Sequence, residues 1–450
     1  MSQALTAQLG EFVAGLRYED VPADTIELIC TGFADCVGVT FVGALEPAPR
    51  LLRETLSPSP GEATLLVGGG RASAMDAAWI NGTAAHALDY DDVALRGHPS
   101  VVLVPTILAE AEAIGATGKQ MIAAYAAGYE VWAELVWRDP DHHHRKGWHP
   151  TAIFGTIAGA AACASLRGLD AKQCAHAMGV GASQSGGLVA NFGAMAKPFQ
   201  VGRASHAAVL SARLAARGYT AAPDVLEHRS GFMHAVSLAD RFDIERPIKA
   251  GKDWRLRVDR LSIKKYPSCF AAHCAIDGMM DLVTAHKIDP AEVVSITAQV
   301  NHRHAMVLRN HQPKSALEAK FSMEFAMACP IIAGRVGLEQ LTDEFVNRPD
   351  VQAMMQKVNV AAQDEDLARP GFSVDDRVII ELRNGQRLDS GRVMQIRGGP
   401  QLPLAREELW AKFDDCARVG EVTLPARPLF DALMSLPDVK SVKELPGFGG

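Results

Sequence analysis

At 450 residues with a formal net charge of −7, the chain is longer than one ordinary hydrophobic core and has no basic excess. That points to two domains and excludes nucleic acid as the main partner. Its hydrophobic fraction of 48% and charged fraction of 22% are those of a globular protein, so an anionic ligand would need a locally basic pocket in an acidic molecule.

Helical periodicity dominates the first 260 residues. Leu5, Leu9, Phe12, Val13 and Leu16 share one helix face, and 25–39 and 47–56 repeat the pattern. The start is amphipathic without a basic segment or cleavage signal, so a cytoplasmic location is expected. A short strand at 63–67 leads through Gly68-Gly69-Gly70 into a helix near Ser73. The third glycine of a dinucleotide fingerprint is missing, so a plain turn is expected there. Further helices are predicted over 99–114, 118–137, 150–167, 171–180 and 202–217, rich in Gly and Ala and therefore able to approach closely. The longest apolar stretch, 151–165, is too short for a bilayer and reads as a core helix, with no membrane partner.

From about residue 260 the pattern changes. The run 293–300 is β-branched, and 377–382 and 387–393 flank Asn384-Gly385, a pair suited to a type I′ hairpin turn. Helical runs at 268–285, 316–333 and 351–358 intervene, and 403–419 and 427–436 are helical again. The expected architecture is mainly α: an all-helical domain over 1–260, a smaller α+β domain over 261–400, and C-terminal helices over 401–450 that return to the first domain.

Cysteine usage adds little chemistry. The eight cysteines include no Cys-x-x-Cys pair and mostly lie in apolar runs, so buried thiols are expected rather than disulfides or zinc. His142-His143-His144 is the obvious metal candidate, yet consecutive side chains diverge, and flanking Asp141, Arg145 and Lys146 suggest a solvated loop. The expectation is no metal; metal-dependent hydrolysis through this run is the competing class.

Four features suggest proton chemistry on an anion. His98-Pro99 and His149-Pro150 each precede an apolar helix, which places both histidines at helix N-termini where N–H groups and the dipole favour anions and neutral imidazole. Asp89-Tyr90-Asp91-Asp92 ends the helix that begins near Ser73, an unfavourable place for carboxylates without specific partners. Lys197 stands in an otherwise uncharged segment, held for an anion or snorkelling to the surface. Lys264-Lys265 lies at the apparent domain junction, where a substrate cleft is expected, and spacing alone does not choose between the two lysines.

The run Asn81-Gly82-Thr83-Ala84-Ala85-His86-Ala87-Leu88-Asp89-Tyr90-Asp91-Asp92, followed by His98-Pro99-Ser100, resembles the MmgE/PrpD family. Gly147-Trp148-His149, Ala194-Met195-Ala196-Lys197-Pro198-Phe199 and Lys264-Lys265-Tyr266-Pro267 continue the likeness in the family's order. The resemblance implies a large all-helical domain with a smaller α+β lid domain, usually as a homodimer. It implies cofactor-independent dehydration, decarboxylation or epimerisation beside a carboxylate, with a small di- or tricarboxylate as partner.

Carried over by position, the resemblance makes His149, His98 and Asp89 catalytic and Lys197 and Lys264 substrate-binding, which favours Lys264 over Lys265. His149 is then the first choice for general base, with Asp89 orienting a neighbouring histidine. Departures bear on the reaction. A threonine of many members is Val93, the decarboxylase's histidine is Cys269, and its later tyrosine is Phe325. The dehydratase-type Phe-Pro-Ala-Glu-Phe-His run is also absent, so these departures count against the decarboxylase and weaken the dehydratase. Tyr266-Pro267-Ser268-Cys269 looks more like the epimerase-type branch. A 2-methylcitrate dehydratase-like lyase is still expected first. An iminodisuccinate epimerase-like enzyme using Cys269 as a second proton-transfer group is the alternative, and a non-catalytic carboxylate-binding protein is the third class.

Overall fold

The computed structural model describes residues 4–363 and 376–448. The chain divides into two compact units, Met1–Ser262 with Glu408–Gly450, and Ile263–Glu407. It is mainly α, with its four-stranded sheet in the second unit.

In the first unit, α1 (Leu5–Gly15), α2 (Ala23–Gly43), α3 (Pro47–Leu56) and α4 (Ala74–His86) are followed by α5 (Ser100–Ile114), α6 (Gly118–Arg138), α7 (Pro150–Leu166), α8 (Ala171–Ala182) and α9 (Ala196–Ala216). Helix α7 is buried along its length except at Ser165, the pattern of a helix apolar all round. It packs against α5, α6, α8 and α9, while α4 lies against α9. Small residues set that approach: Gly82 of α4 meets Gly202 of α9, and a Cβ on Gly202 would collide with the Trp79 carbonyl and Thr83.

Three local features differ from expectation. Helix α9 starts at Ala196 rather than 202, because Pro198 is tolerated in a first turn whose N–H groups lack helical partners anyway. Lys197 is therefore helical rather than part of a preceding loop. Helix α2 is, by length and composition, apolar enough to cross a membrane, although 78% of its apolar window is buried inside the protein. The strand at 63–67 shortens to β1 (Ala63–Thr64), paired with β2 (Arg71–Ala72). Gly68, Gly69 and Gly70 all take positive φ between the two strands.

In the second unit, β3 (Val293–Asn301), β4 (Val358–Gln363), β5 (Arg377–Leu382) and β6 (Arg387–Asp389) lie in the order β4-β3-β5-β6. Strand β4 runs parallel to β3; the other pairs are antiparallel. The predicted helix 351–358 ends instead at Met355 and gives way to β4. The predicted helix 316–333 breaks into Ala316–Ala319 and Met323–Ala333, where Ser322 caps the second piece by accepting from the Phe325 N–H. The hairpin turn also differs. Gly385 alone of the Asn-Gly pair has positive φ, at 82°, and its N–H donates to the Leu382 carbonyl at 2.9 Å. That is a three-residue loop with a glycine bulge rather than a type I′ turn.

Candidate active site

The end of α4 is the organising element. His86 is its last residue, and Asp89 follows in the left-handed conformation at φ 54°, which aspartate tolerates better than most residues. The chain then turns through Asp91 and Asp92, both fully buried, to His98 and α5. Carboxylates at a helix C-terminus oppose its dipole, and each of these has a specific partner.

Asp89 Oδ1 accepts from Lys197 Nζ at 2.7 Å, so the first turn of α9 is tied to the end of α4. Asp91 serves two histidines: its Oδ1 is 2.9 Å from His86 Nδ1 and its Oδ2 is 2.7 Å from His98 Nδ1. His98 Nδ1 also lies 2.8 Å from the Asp92 carbonyl oxygen. Asp92 accepts from the Ser100 hydroxyl at 3.0 Å, and Ser100 meets the Tyr125 hydroxyl at 2.8 Å. From the C-terminal segment, Lys412 Nζ donates to the Tyr90 carbonyl at 2.9 Å and pairs with Asp35 at 2.6 Å, pinning the turn from behind.

His149 is the N-cap residue of α7, with Pro150 at the first helical position. Its Nδ1 is 2.8 Å from Gln200 Oε1, and Gln200 Nε2 donates to the Leu188 carbonyl at 3.2 Å, which orients the amide. The Phe192 ring packs edge-on against His149, and Lys197 Nζ lies 5.1 Å from the centre of the same ring. The His86 and His149 rings are stacked 6.0 Å apart. The Nε2 atoms of both are buried without a hydrogen-bond partner.

The charge states follow from burial and neighbours. Burial, then the adjacent His86 and Lys197, hold His149 well below the ordinary histidine range. Burial lowers His86 to about 4 against the pull of Asp91. Burial pushes Asp91 up, yet His86 and His98 outweigh it and keep its carboxyl well below the usual range. Asp92 goes the other way: burial first, then the charges of Asp91 and Asp35, raise it well above its usual value. These directions favour the neutral imidazole at His149, the ionised form of Asp91 and the protonated form of Asp92.

His98, Asp89 and Lys197 keep a small solvent exposure, whereas His86, Asp91 and His149 are buried. The first unit thus brings together Asp89, His98, His149 and Lys197. Lys264 and Cys269 belong to the second unit, and both are buried there. Cys269 and Phe325 both pack in that unit's hydrophobic core. His86, Asp91, Gln200 and Lys412 carry no assignment from sequence. Of these, only His86 and Asp91 left a signal, two residues within the motif that ends α4.

The His142–His144 run does not converge. His143 is buried, rather than part of a solvated loop, 3.4 Å from Asp139 and edge-on to Phe154, while His144 faces Phe192. Among the described residues, the group with ligand atoms close enough for one cation is His86, Asp89, Asp91 and His98. There the Lys197 ammonium already neutralises Asp89, and Asp91 already binds His86 and lies against His98. A cavity of about 1260 Å³ in the first unit, lined by Arg50, Arg53 and Gly68–Gly70, contains none of these groups.

Sequence comparison agrees with the motifs. Cis-aconitate decarboxylase of Homo sapiens is 26% identical over 350 residues, which cover 75% of this chain and 71% of the human protein. Cis-aconitate decarboxylase of Aspergillus terreus is 24% identical over 452 residues, covering 94% of this chain and 91% of the fungal protein. The profile of the MmgE/PrpD N-terminal domain matches residues 7–245 and that of the C-terminal domain matches residues 266–423. Carrying both domains in order, with the buried histidine–carboxylate cluster at the end of α4, this chain belongs to the MmgE/PrpD family.

Proposed function

We propose that the protein is a proton-transfer lyase acting on a small di- or tricarboxylate, a 2-methylcitrate dehydratase-like enzyme that needs no redox cofactor. The observation that carries this reading is His149. Gln200 accepts at Nδ1, so the neutral ring keeps its proton there and presents an unprotonated Nε2.

In the proposed reaction His149 Nε2 takes the proton from the carbon beside a substrate carboxylate. The C–H electron pair becomes the new double bond, and the β-hydroxyl leaves as water after gaining a proton from His98, whose partly exposed ring takes that proton up at Nε2 from solvent when the anion binds. Lys197 binds the carboxylate, exchanging its contact with Asp89 for one with substrate, and stabilises the charge that develops there. Lys264 is proposed as a second carboxylate clamp on the strength of its motif alone.

The relatives named cis-aconitate decarboxylase support chemistry on a carboxylate. This chain has Cys269 and Phe325 where the decarboxylase pattern has histidine and tyrosine, which favours loss of water over loss of carbon dioxide. The deciding experiment is NMR of hydroxy-, amino- and unsaturated di- and tricarboxylates with the protein in heavy water. A new alkene supports the dehydratase. Deuterium exchange with inversion makes it an epimerase, carbon dioxide release makes it a decarboxylase, and no exchange with any candidate removes the proton-transfer reading.

A further inference from the structure

We propose that Asp91 is the positioning residue of this site, one carboxylate that sets the tautomer of His86 and backs His98 with its charge. The proposal rests on the proton-transfer reading above and names a residue that neither the motif assignment nor the base itself identifies.

Oδ1 accepts from His86 Nδ1 at 2.9 Å, and Oδ2 lies 2.7 Å from His98 Nδ1 as a close charge contact rather than a hydrogen bond. An ionised carboxylate only accepts, so His86 Nδ1 must carry its proton and the neutral ring must keep its lone pair on Nε2. The hydrogen bond of His98 Nδ1 goes to the Asp92 carbonyl at 2.8 Å, which demands the same tautomer. Asp91 is fully buried, so water does not compete for it.

The geometry gives this arrangement a use. The two rings lie 4.7 Å apart between centres, and His98 Nε2 faces Asp89 Oδ1 at 3.8 Å, the oxygen that holds Lys197. The lone pair of His98 therefore points toward the charged pair that an anionic substrate would engage. When His98 Nε2 gains a proton, Asp91 opposes the new imidazolium charge from the other side of the ring, the role a buried aspartate has behind a catalytic histidine. Asp89, closer to solvent, is engaged by Lys197 and leaves the orienting task to Asp91.

The test uses the full-length protein with ring-¹⁵N-labelled histidine, with the His86 and His98 signals assigned from His86→Asn and His98→Asn. At pH 7.5 the wild type should show Nδ1 protonated and Nε2 unprotonated in both residues. In Asp91→Asn the amide has one accepting oxygen, and its NH₂ cannot face an N–H. His98 keeps the Asp92 carbonyl as its acceptor, so His86 is the histidine that should change tautomer, with kcat lowered by about 10²- to 10⁴-fold, KM within about threefold, and an unchanged circular dichroism spectrum. An Nε2–H tautomer at either histidine in the wild type would overturn the proposal without any variant. So would unchanged tautomers or an unchanged kcat in Asp91→Asn. If the wild type turns over no carboxylate, the proton-transfer reading fails, while the tautomer measurement still decides what Asp91 does.

Discussion

Gln200 Oε1 stands 2.8 Å from His149 Nδ1, and the same amide is anchored by its Nε2 on the Leu188 carbonyl. Gln200 thereby decides which nitrogen of His149 is basic. His149→Ala should lower turnover by about two to four orders of magnitude, the usual scale of general acid–base catalysis. Gln200→Leu, which keeps the ring but frees its tautomer, should lower kcat by about one to two orders with little change in KM. Steady-state kinetics on the substrate found by NMR checks both; near-normal turnover of His149→Ala removes this histidine from the mechanism.

Lys197 should behave differently. Its ammonium is one of the few partly accessible charges of the cluster, and a charge-assisted hydrogen bond contributes about 1.5–3 kcal/mol. Lys197→Ala is expected to weaken apparent substrate affinity by about 10- to 150-fold. Lys197→Arg should recover only part of that, because a planar fork does not occupy the place of a compact ammonium. Unchanged affinity in Lys197→Ala sinks the clamp assignment.

The acid limb of activity carries a sign that can be checked. A base works when unprotonated, and burial with His86 and Lys197 nearby lowers His149 well below 6.5. The profile of kcat/KM reports the free enzyme. It should therefore hold its plateau as pH falls through 6.5 and decline only at lower pH. A limb centred at 6.5 or above assigns the base to another group.

Packing at the α4–α9 contact is the last test. A Cβ on Gly202 would strike the Trp79 carbonyl and Thr83, and backbone cannot move aside as a flexible side chain can. Gly202→Ala should cost about 1–3 kcal/mol of stability through overpacking, read from chemical denaturation. It should also lower activity, since α4 carries His86 and α9 carries Lys197 and Gln200. Unaltered stability would mean that the two helices separate more easily than their small residues suggest.

Much of the fold was legible because periodicity survives without context. The α1 to α8 pattern, the β-branched β3 and the Arg377–Leu382 strand all declare themselves through spacing of apolar residues. Strand β4 did not: Val358 to Gln363 follows a helix without a turn signal, and its parallel pairing with β3 supplies what its own residues lack. The start of α9 was hidden for a related reason, since Pro198 looks like a boundary and is in fact a first-turn residue.

Sequence by itself determined the family, the mainly helical architecture, and the placing of His98 and His149 at helix starts, because these depend on local order and on proline geometry. Only the tertiary structure decided which groups meet. Asp89 went to Lys197, Asp91 to His86 and His98, and Gln200 to His149, across separations of up to 108 positions in the chain. The physical reason is desolvation. A carboxylate or imidazole sealed in a core must find a complementary partner, and which partner is within reach depends on how α4, α5, α7 and α9 pack, not on the spacing of residues along any one of them.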